Sequence, residues 1–269
     1  MARQDHRDRA DLIGTAHALA DAARQATLAH FRSRDLTADS KGAAGFDPVT
    51  AADRAAERAM RDILRDRRPK DAILGEEYGE VAGDSGLTWV LDPIDGTRAY
   101  LAGTPTWGVL ISVRDEEGPL FGLIDQPYIG ERFAGGFGIA EMTGPLGPRT
   151  LAARPARPLD EAILFSTFPE IGTPEEAEAF HRLAGKVRLT RYGMDCYAYA
   201  LVAAGHADLV VEAGLNPYDI QAPIAVIEAA GGIVTDWSGG PAMDGGRAVA
   251  AANPQVHEAA LRALAWTGA

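Results

Sequence analysis

The chain has 269 residues, 46% hydrophobic and 24% charged, enough for one large domain or two small ones around a substantial core. A formal net charge of −12, with a sequence pI near 4.9, argues against a nucleic-acid backbone as partner, and any phosphate bound here needs cations beside it. One cysteine, Cys196, excludes an internal disulfide and points to a reducing cytoplasm; the charged start MARQDHRDRADL is no signal peptide, and no apolar run approaches a membrane span.

Leu12, Ala16, Leu19, Ala23, Thr27 and Phe31 recur at helical spacing, which predicts an amphipathic helix over about 7–31. Ser33 to Asp47 is polar, a loop or loose hairpin, in which Lys41 either approaches a site or is solvated. Thr50 to Arg67 predicts a second helix with Ala52, Ala56, Met60, Ile63 and Leu64 inward, stopped by Pro69. Asp53 falls in its first turn, beside the positive end of the helix dipole. Ala72 to Leu74 is a short strand running into Gly75-Glu76-Glu77-Tyr78-Gly79. Trp107 to Arg114, Leu120 to Gln126 and Arg132 to Ala134 read as turn-linked strands. Gly135 to Pro158 is rich in Gly and Pro, without a clear element after its first residues, and suits a domain junction.

From about 160 strands and helices alternate. Strands are expected at Ala162–Ser166, Val187–Thr190, Ala207–Glu212, Ile233–Thr235 and Ala248–Ala251. Helices are expected at Thr173–Ala184, with Thr173 and Glu176 as a capping box, at Asp195–Ala204, with Asp195 as cap, at Tyr218–Ala230, closed by Gly231-Gly232, and at Pro254–Trp266. Trp89, Trp107 and Trp237 read as core or subunit-contact residues, and Cys196 as a small packed one. His6, His17, His30, His181, His206 and His257 lack ligand spacing, so zinc is not expected.

The stretch that carries chemistry is Trp89-Val90-Leu91-Asp92-Pro93-Ile94-Asp95-Gly96-Thr97. An apolar strand opens into a turn with two aspartates, whose carboxylates repel unless a cation lies between them. Oxygen donors suit Mg²⁺ or Mn²⁺, Gly96 lets backbone approach a ligand, and N–H groups at the start of the next segment can hold phosphate. Read alone, the stretch is equally an ordinary strand-end turn, and Glu76-Glu77 reads more simply as two solvated loop charges. Asp92 and Asp95 stand three apart, which does not match the D-x-D of aspartyl-phosphate phosphatases. An EF-hand loop is excluded by Ile94 and Gly96 at ligand positions.

Gly75-Glu76-Glu77, then Asp92-Pro93-Ile94-Asp95-Gly96-Thr97, then Pro217-Tyr218-Asp219 with Glu228-Ala229-Ala230-Gly231-Gly232, resemble the inositol monophosphatase superfamily, from Lys41 to the C-terminal helix. The resemblance implies a single phosphatase domain over 1–269 with a layered αβαβα fold, α+β over about 1–150 and α/β over 151–269. It also implies a phosphomonoesterase using two or three Mg²⁺ ions, or Mn²⁺, commonly as a homodimer. By position, Glu76, Asp92, the Ile94 carbonyl, Asp95 and Asp219 match the metal ligands, with Asp92 bridging. Thr97 and Asp53 match the pair that helps activate the attacking water, Glu76 stands with them as catalytic, and Gly96 and Thr97 match the phosphate-binding backbone. Metal chemistry suits such a reaction, because phosphate monoesters are slow enough unaided that accelerations of up to roughly 10²¹ are recorded.

Within the superfamily, Asp95-Gly96-Thr97-Arg98-Ala99-Tyr100, Arg191-Tyr192-Gly193-Met194-Asp195-Cys196-Tyr197 and Asn216-Pro217-Tyr218-Asp219 look more like histidinol-phosphate phosphatases than inositol enzymes. Inositol enzymes usually carry Trp at Tyr218 and a Gly-Thr-Ala run at Met194-Asp195-Cys196. A cationic leaving group favours a carboxylate in the pocket wall, for which Asp195 and Glu212 are candidates, with Asn216 as a polar contact and Arg191 either there or paired with a nearby acid. The alternatives are an inositol-1-phosphatase or another small-ester phosphatase, and a non-catalytic binder of a phosphometabolite. A bisphosphate substrate would want a further basic cluster, which the motifs lack.

Overall fold

A computed structural model describes residues 6–34, 37–40 and 48–265, so Lys41 and residues 41–47 lie outside the described residues. The chain runs through α1 (His6–Leu28), the antiparallel pair β1 (Ala38–Ser40) and β2 (Pro48–Thr50), and α2 (Ala51–Arg67). β3 (Ala72–Gly75), β4 (Gly79–Val81) and β5 (Thr88–Asp95) follow, then a short α3 (Thr97–Ala102). β6 (Gly108–Arg114), β7 (Pro119–Gln126), β8 (Glu131–Gly136), β9 (Ile139–Thr143) and β10 (Arg149–Thr150) form a meander. The second half is β11 (Ile163–Ser166), α4 (Pro174–Ala184), β12 (Leu189–Tyr192), α5 (Asp195–Ala203) and β13 (Leu209–Leu215), then α6 (Pro217–Ala229), β14 (Ile233–Thr235), β15 (Gly246–Ala251) and α7 (Pro254–Leu264).

Two sheets result. The larger has the order β10-β9-β8-β7-β6-β5-β3-β4, antiparallel except for the pair β3–β5. The smaller has the order β12-β11-β13-β15-β14, with β11 parallel to both neighbours. Strand alternation assigns side chains to layers. Val109, Ile111 and Val113 of β6 join α1 and α2 in one core, while Leu110 faces the core of α5 and α6. Likewise Val210 of β13 faces α5 and α6, whereas Leu209 and Val211 face α4 and α7. The layers are therefore α1/α2, large sheet, α5/α6, small sheet and α4/α7, the expected αβαβα stack.

The middle layer sits unusually close to the large sheet. Gly122 and Gly135 face each other across β7 and β8. A Cβ on Gly122 would lie 2.6 Å from the Ala222 carbonyl oxygen, and one on Gly135 2.4 Å from Val226 Cα. Both would drive α6 off the sheet. That contact fixes where the first turn of α6, and with it Asp219, meets the end of β5.

Three differences from the sequence reading have physical causes. The segment read as lacking elements carries β9 and β10, which extend the large sheet by edge pairing that Gly and Pro at its turns disguise. α3, only six residues long, is too short to leave a periodic pattern. Asp195 does not cap α5: the cap position is Met194, and Asp195 itself has φ 46° with its carboxylate turned elsewhere. Trp89, Trp107 and Trp237 are all core residues. No helix of the described residues is long and apolar enough to cross a membrane.

Candidate metal centre

Residues three apart on a regular strand point to opposite faces. Here Asp92 pairs with Leu110 and Asp95 with Gly108, so β5 spends one more residue than β6 between them. This bulge, at Pro93, which has no N–H to give to a ladder, turns both carboxylates to one side. The Ile94 N–H closes back on Asp92 Oδ1 at 3.0 Å, and Asp95 Oδ2 accepts the Cys196 N–H at the start of α5.

β3 lies parallel to β5 with Gly75 beside Leu91, and the Glu76 N–H donates to the Leu91 carbonyl at 3.2 Å. Glu76 therefore leaves its strand next to Asp92, close enough for its charge to act on the Asp92 carboxyl. From the other half, Asp219 enters in the first turn of α6, held by the Asn216 N–H at 2.7 Å. One oxygen each of Asp92, Asp95 and Asp219 lie within 4.8 Å of one another.

Such crowding is costly. Burial raises the Asp92 carboxyl well above the ordinary range, and the charges of Glu76, Asp95 and Asp219 raise it further. Burial does the same to Asp95, aided by Asp195 and Asp219 and opposed by the Cys196 N–H. Groups so placed either hold protons or surround a cation. The donors are all oxygen, three to four carboxylates with the Ile94 carbonyl beside them, which fits a hard divalent ion such as Mg²⁺.

Thr97 opens α3 beside this cluster. Its Oγ1 lies 3.3 Å from Asp53 Oδ1 and 3.2 Å from the Ile94 carbonyl oxygen. With one hydrogen for two acceptors, the hydroxyl keeps lone-pair capacity for a third group. The other Asp53 oxygen accepts both the N–H and the hydroxyl of Thr50 in a capping box at the start of α2. Gly96, at φ 84°, makes the turn into α3. A Cβ there would lie 2.7 Å from Asp195 Cγ, so the Asp195 carboxylate rests directly against this backbone. Thr106 Oγ1 donates to Asp195 Oδ2 at 3.2 Å.

Glu212, on β13, accepts the N–H and hydroxyl of Thr167 at 2.6 and 2.9 Å. Burial nevertheless pushes its carboxyl up to about 7, with the charge of Asp195 contributing. Asn216 stands at the start of α6, and Arg191 is exposed on β12, the sheet's edge strand. Sequence reasoning missed three supports. Glu57, fully buried on α2, receives the N–H groups of Glu77 and Tyr78 and so shapes the Glu76 loop. Its spacing of four from Asp53, on the inward face, was the available signal. Thr50 and Thr106 gave none.

Comparison with known proteins agrees with this geometry. The model of the inositol monophosphatase family matches residues 8–268. The chain is 39% identical over 272 residues to the bifunctional phosphatase IMPL2, chloroplastic, of Arabidopsis thaliana, covering 96% of this chain and 76% of that protein. A histidinol-phosphatase of Streptomyces coelicolor is 35% identical over 263 residues, covering 94% and 97%. The solved structure of an inositol monophosphatase from Zymomonas mobilis superposes with a TM-score of 0.83 at 38% identity, covering 97% and 99%. The chain belongs to the inositol monophosphatase family, a family of phosphatases.

Proposed function

We propose that this protein is a Mg²⁺-dependent phosphatase that hydrolyses L-histidinol phosphate to L-histidinol and phosphate. Asp92, Asp95, Asp219, Glu76 and the Ile94 carbonyl are the groups that would hold the metal. When bound, it supplies the positive charge an acidic protein lacks and lowers the pKa of a coordinated water. Asp53 takes the Thr97 hydroxyl proton in a hydrogen bond, which leaves the Thr97 oxygen to accept one from the attacking water. The backbone N–H groups of Gly96 and Thr97 face the phosphate.

The observation that carries the substrate assignment is the Asp195 carboxylate resting on Gly96. A leaving group extending from a phosphate on this backbone meets a carboxylate, which suits the ammonium and imidazolium of histidinol and offers an uncharged polyol less. Glu212, Asn216 and Arg191 border the same half of the site in this reading. Relatives named histidinol-phosphatase support it. Inositol 1-phosphate is the second reading, favoured by the similarity to the Zymomonas mobilis enzyme. We read residues 1–269 as one phosphatase domain, because α5 and α6 pack against both sheets, and the enzyme as a cytoplasmic homodimer.

Phosphate release from L-histidinol phosphate and inositol 1-phosphate, side by side with Mg²⁺, tests this. Histidinol phosphate is expected to be strongly preferred, with Asp92→Asn losing at least about a hundredfold in kcat/KM. Preference for inositol 1-phosphate would reject the substrate, and metal binding without turnover of either would favour a non-catalytic phosphometabolite binder.

A further inference from the structure

Arg98 follows Thr97 on α3, and its guanidinium carbon lies 5.1 Å from the centre of the Phe168 ring. Phe168 belongs to the segment after β11 and is 43% exposed, so it is reachable from solvent. Its backbone is fixed: the Ser166 hydroxyl donates to the Phe168 carbonyl at 3.3 Å, and Thr167 is tied to Glu212. The charge of Arg98 also reaches Asp195, whose carboxylate abuts Gly96. An aromatic face from the second half of the chain and a carboxylate beside the phosphate loop thus attend one cation, and that cation is part of the protein.

We propose that Phe168 and Asp195 form a subsite for a cationic leaving group, with Arg98 as the resident cation that the substrate displaces. This rests on the reading of the substrate as a cationic phosphate ester. A guanidinium and an imidazolium are both planar cations, and both are drawn to the negative face of an aromatic ring. Arg98 is exposed, on a long, flexible side chain that can swing aside, whereas the incoming cation is anchored through its own phosphate. An uncharged leaving group gains nothing from the ring's quadrupole and leaves Arg98 in position. Phe168 is then a residue that discriminates by charge rather than shape.

The test is the ratio of kcat/KM for a cationic ester to that for an uncharged one, glycerol 2-phosphate. L-histidinol phosphate and O-phosphoethanolamine serve as the cationic esters, all in Mg²⁺. Phe168→Ala and Phe168→Leu are expected to lower the ratio about fivefold, equal to about 1 kcal/mol at 1.4 kcal/mol per tenfold. Phe168→Tyr keeps the quadrupole and is expected to retain the ratio. Arg98→Gln removes the competitor and is expected to raise it, even where loss of positive charge slows both esters. An unchanged ratio in Phe168→Ala, or a lower ratio in Arg98→Gln, overturns the proposal. Turnover of O-phosphoethanolamine but not L-histidinol phosphate, with the ratio still dependent on Phe168, rejects the proposed substrate and keeps the subsite. Turnover of glycerol 2-phosphate with neither cationic ester rejects both.

Discussion

Glu212 shows how much one residue can set. Its carboxyl is held by Thr167 yet sits near 7 against an ordinary 4.5, because burial outweighs the two hydrogen bonds. The folded state therefore holds the proton more tightly than the unfolded state. The stability this contributes is complete below about 4.5 and is lost progressively as pH rises to and through about 7. That gap corresponds to about 3 kcal/mol. Glu212→Gln keeps an oxygen for Thr167 and cannot ionise, so the metal-free variant is expected to exceed wild type at pH 8 by up to that amount and to match it near pH 4. Urea unfolding across this range checks it, and a difference independent of pH would reject the assignment. The fate of Asp195 marks a limit of sequence reading at this scale. An aspartate opening a helix ordinarily caps it, and only the packing of Thr106 and Gly96 around the side chain shows that this carboxylate is turned elsewhere. Asp92 and Asp95 stood out because one continuous run of residues carries both at the end of β5, whereas Glu76, which reads alone as a solvated loop charge, entered only through the family resemblance.

At the scale of elements, α1 is fastened to the large sheet by charge as well as by its apolar face. Asp125 on β7 is fully buried and accepts from Arg24 of α1 at 3.1 and 2.6 Å and from Arg132 of β8 at 2.6 Å. Arg132 reaches back to Asp21 on α1 at 2.7 Å. Removing the central anion strands two partly buried guanidinium groups, so Asp125→Ala is expected to cost about 3–5 kcal/mol in urea unfolding. The triple change Arg24→Met, Asp125→Leu, Arg132→Met is expected to recover most of it, and failure of Asp125→Ala to destabilise would show the cluster to be neutral. The helices themselves were legible from apolar spacing, to within a few residues at their ends. β9 and β10 were not, because they lie at the outer end of the large sheet and their order comes from pairing, β9 with β8 and β10 with β9, rather than from burial of their own residues. Helix α3 escaped for a related reason: its position is dictated by Gly96 behind it and by Tyr100, buried against Trp107, beneath it.

Across the whole molecule, the carboxylate cluster is where the two halves meet. Glu76, Asp92 and Asp95 come from the large sheet, and Asp219 comes from α6, which packs on both sheets. Without a cation these carboxylates raise one another's pKa, a repulsion aimed across the junction. A bound divalent ion would convert it to attraction and tie α6 to β5. Mg²⁺ at a hundred times its Kd is expected to stabilise the folded protein by about 2.7 kcal/mol, a rise of several degrees in Tm. Asp219→Asn is expected to lose most of that rise, yet to melt no lower than wild type in a chelator, since one like charge is gone. The halves can be followed separately: Trp89 and Trp107 report on the large sheet, and Trp237, whose Nε1 donates to the Glu212 carbonyl, reports on the small one. In a Trp266→Phe background, with Trp237→Phe subtracted from its Trp237 parent, both signals are expected to shift together on adding Mg²⁺. A shift of the large-sheet signal alone would mean that Asp219 does not share the ion, and the site would then belong to β3 and β5 without α6.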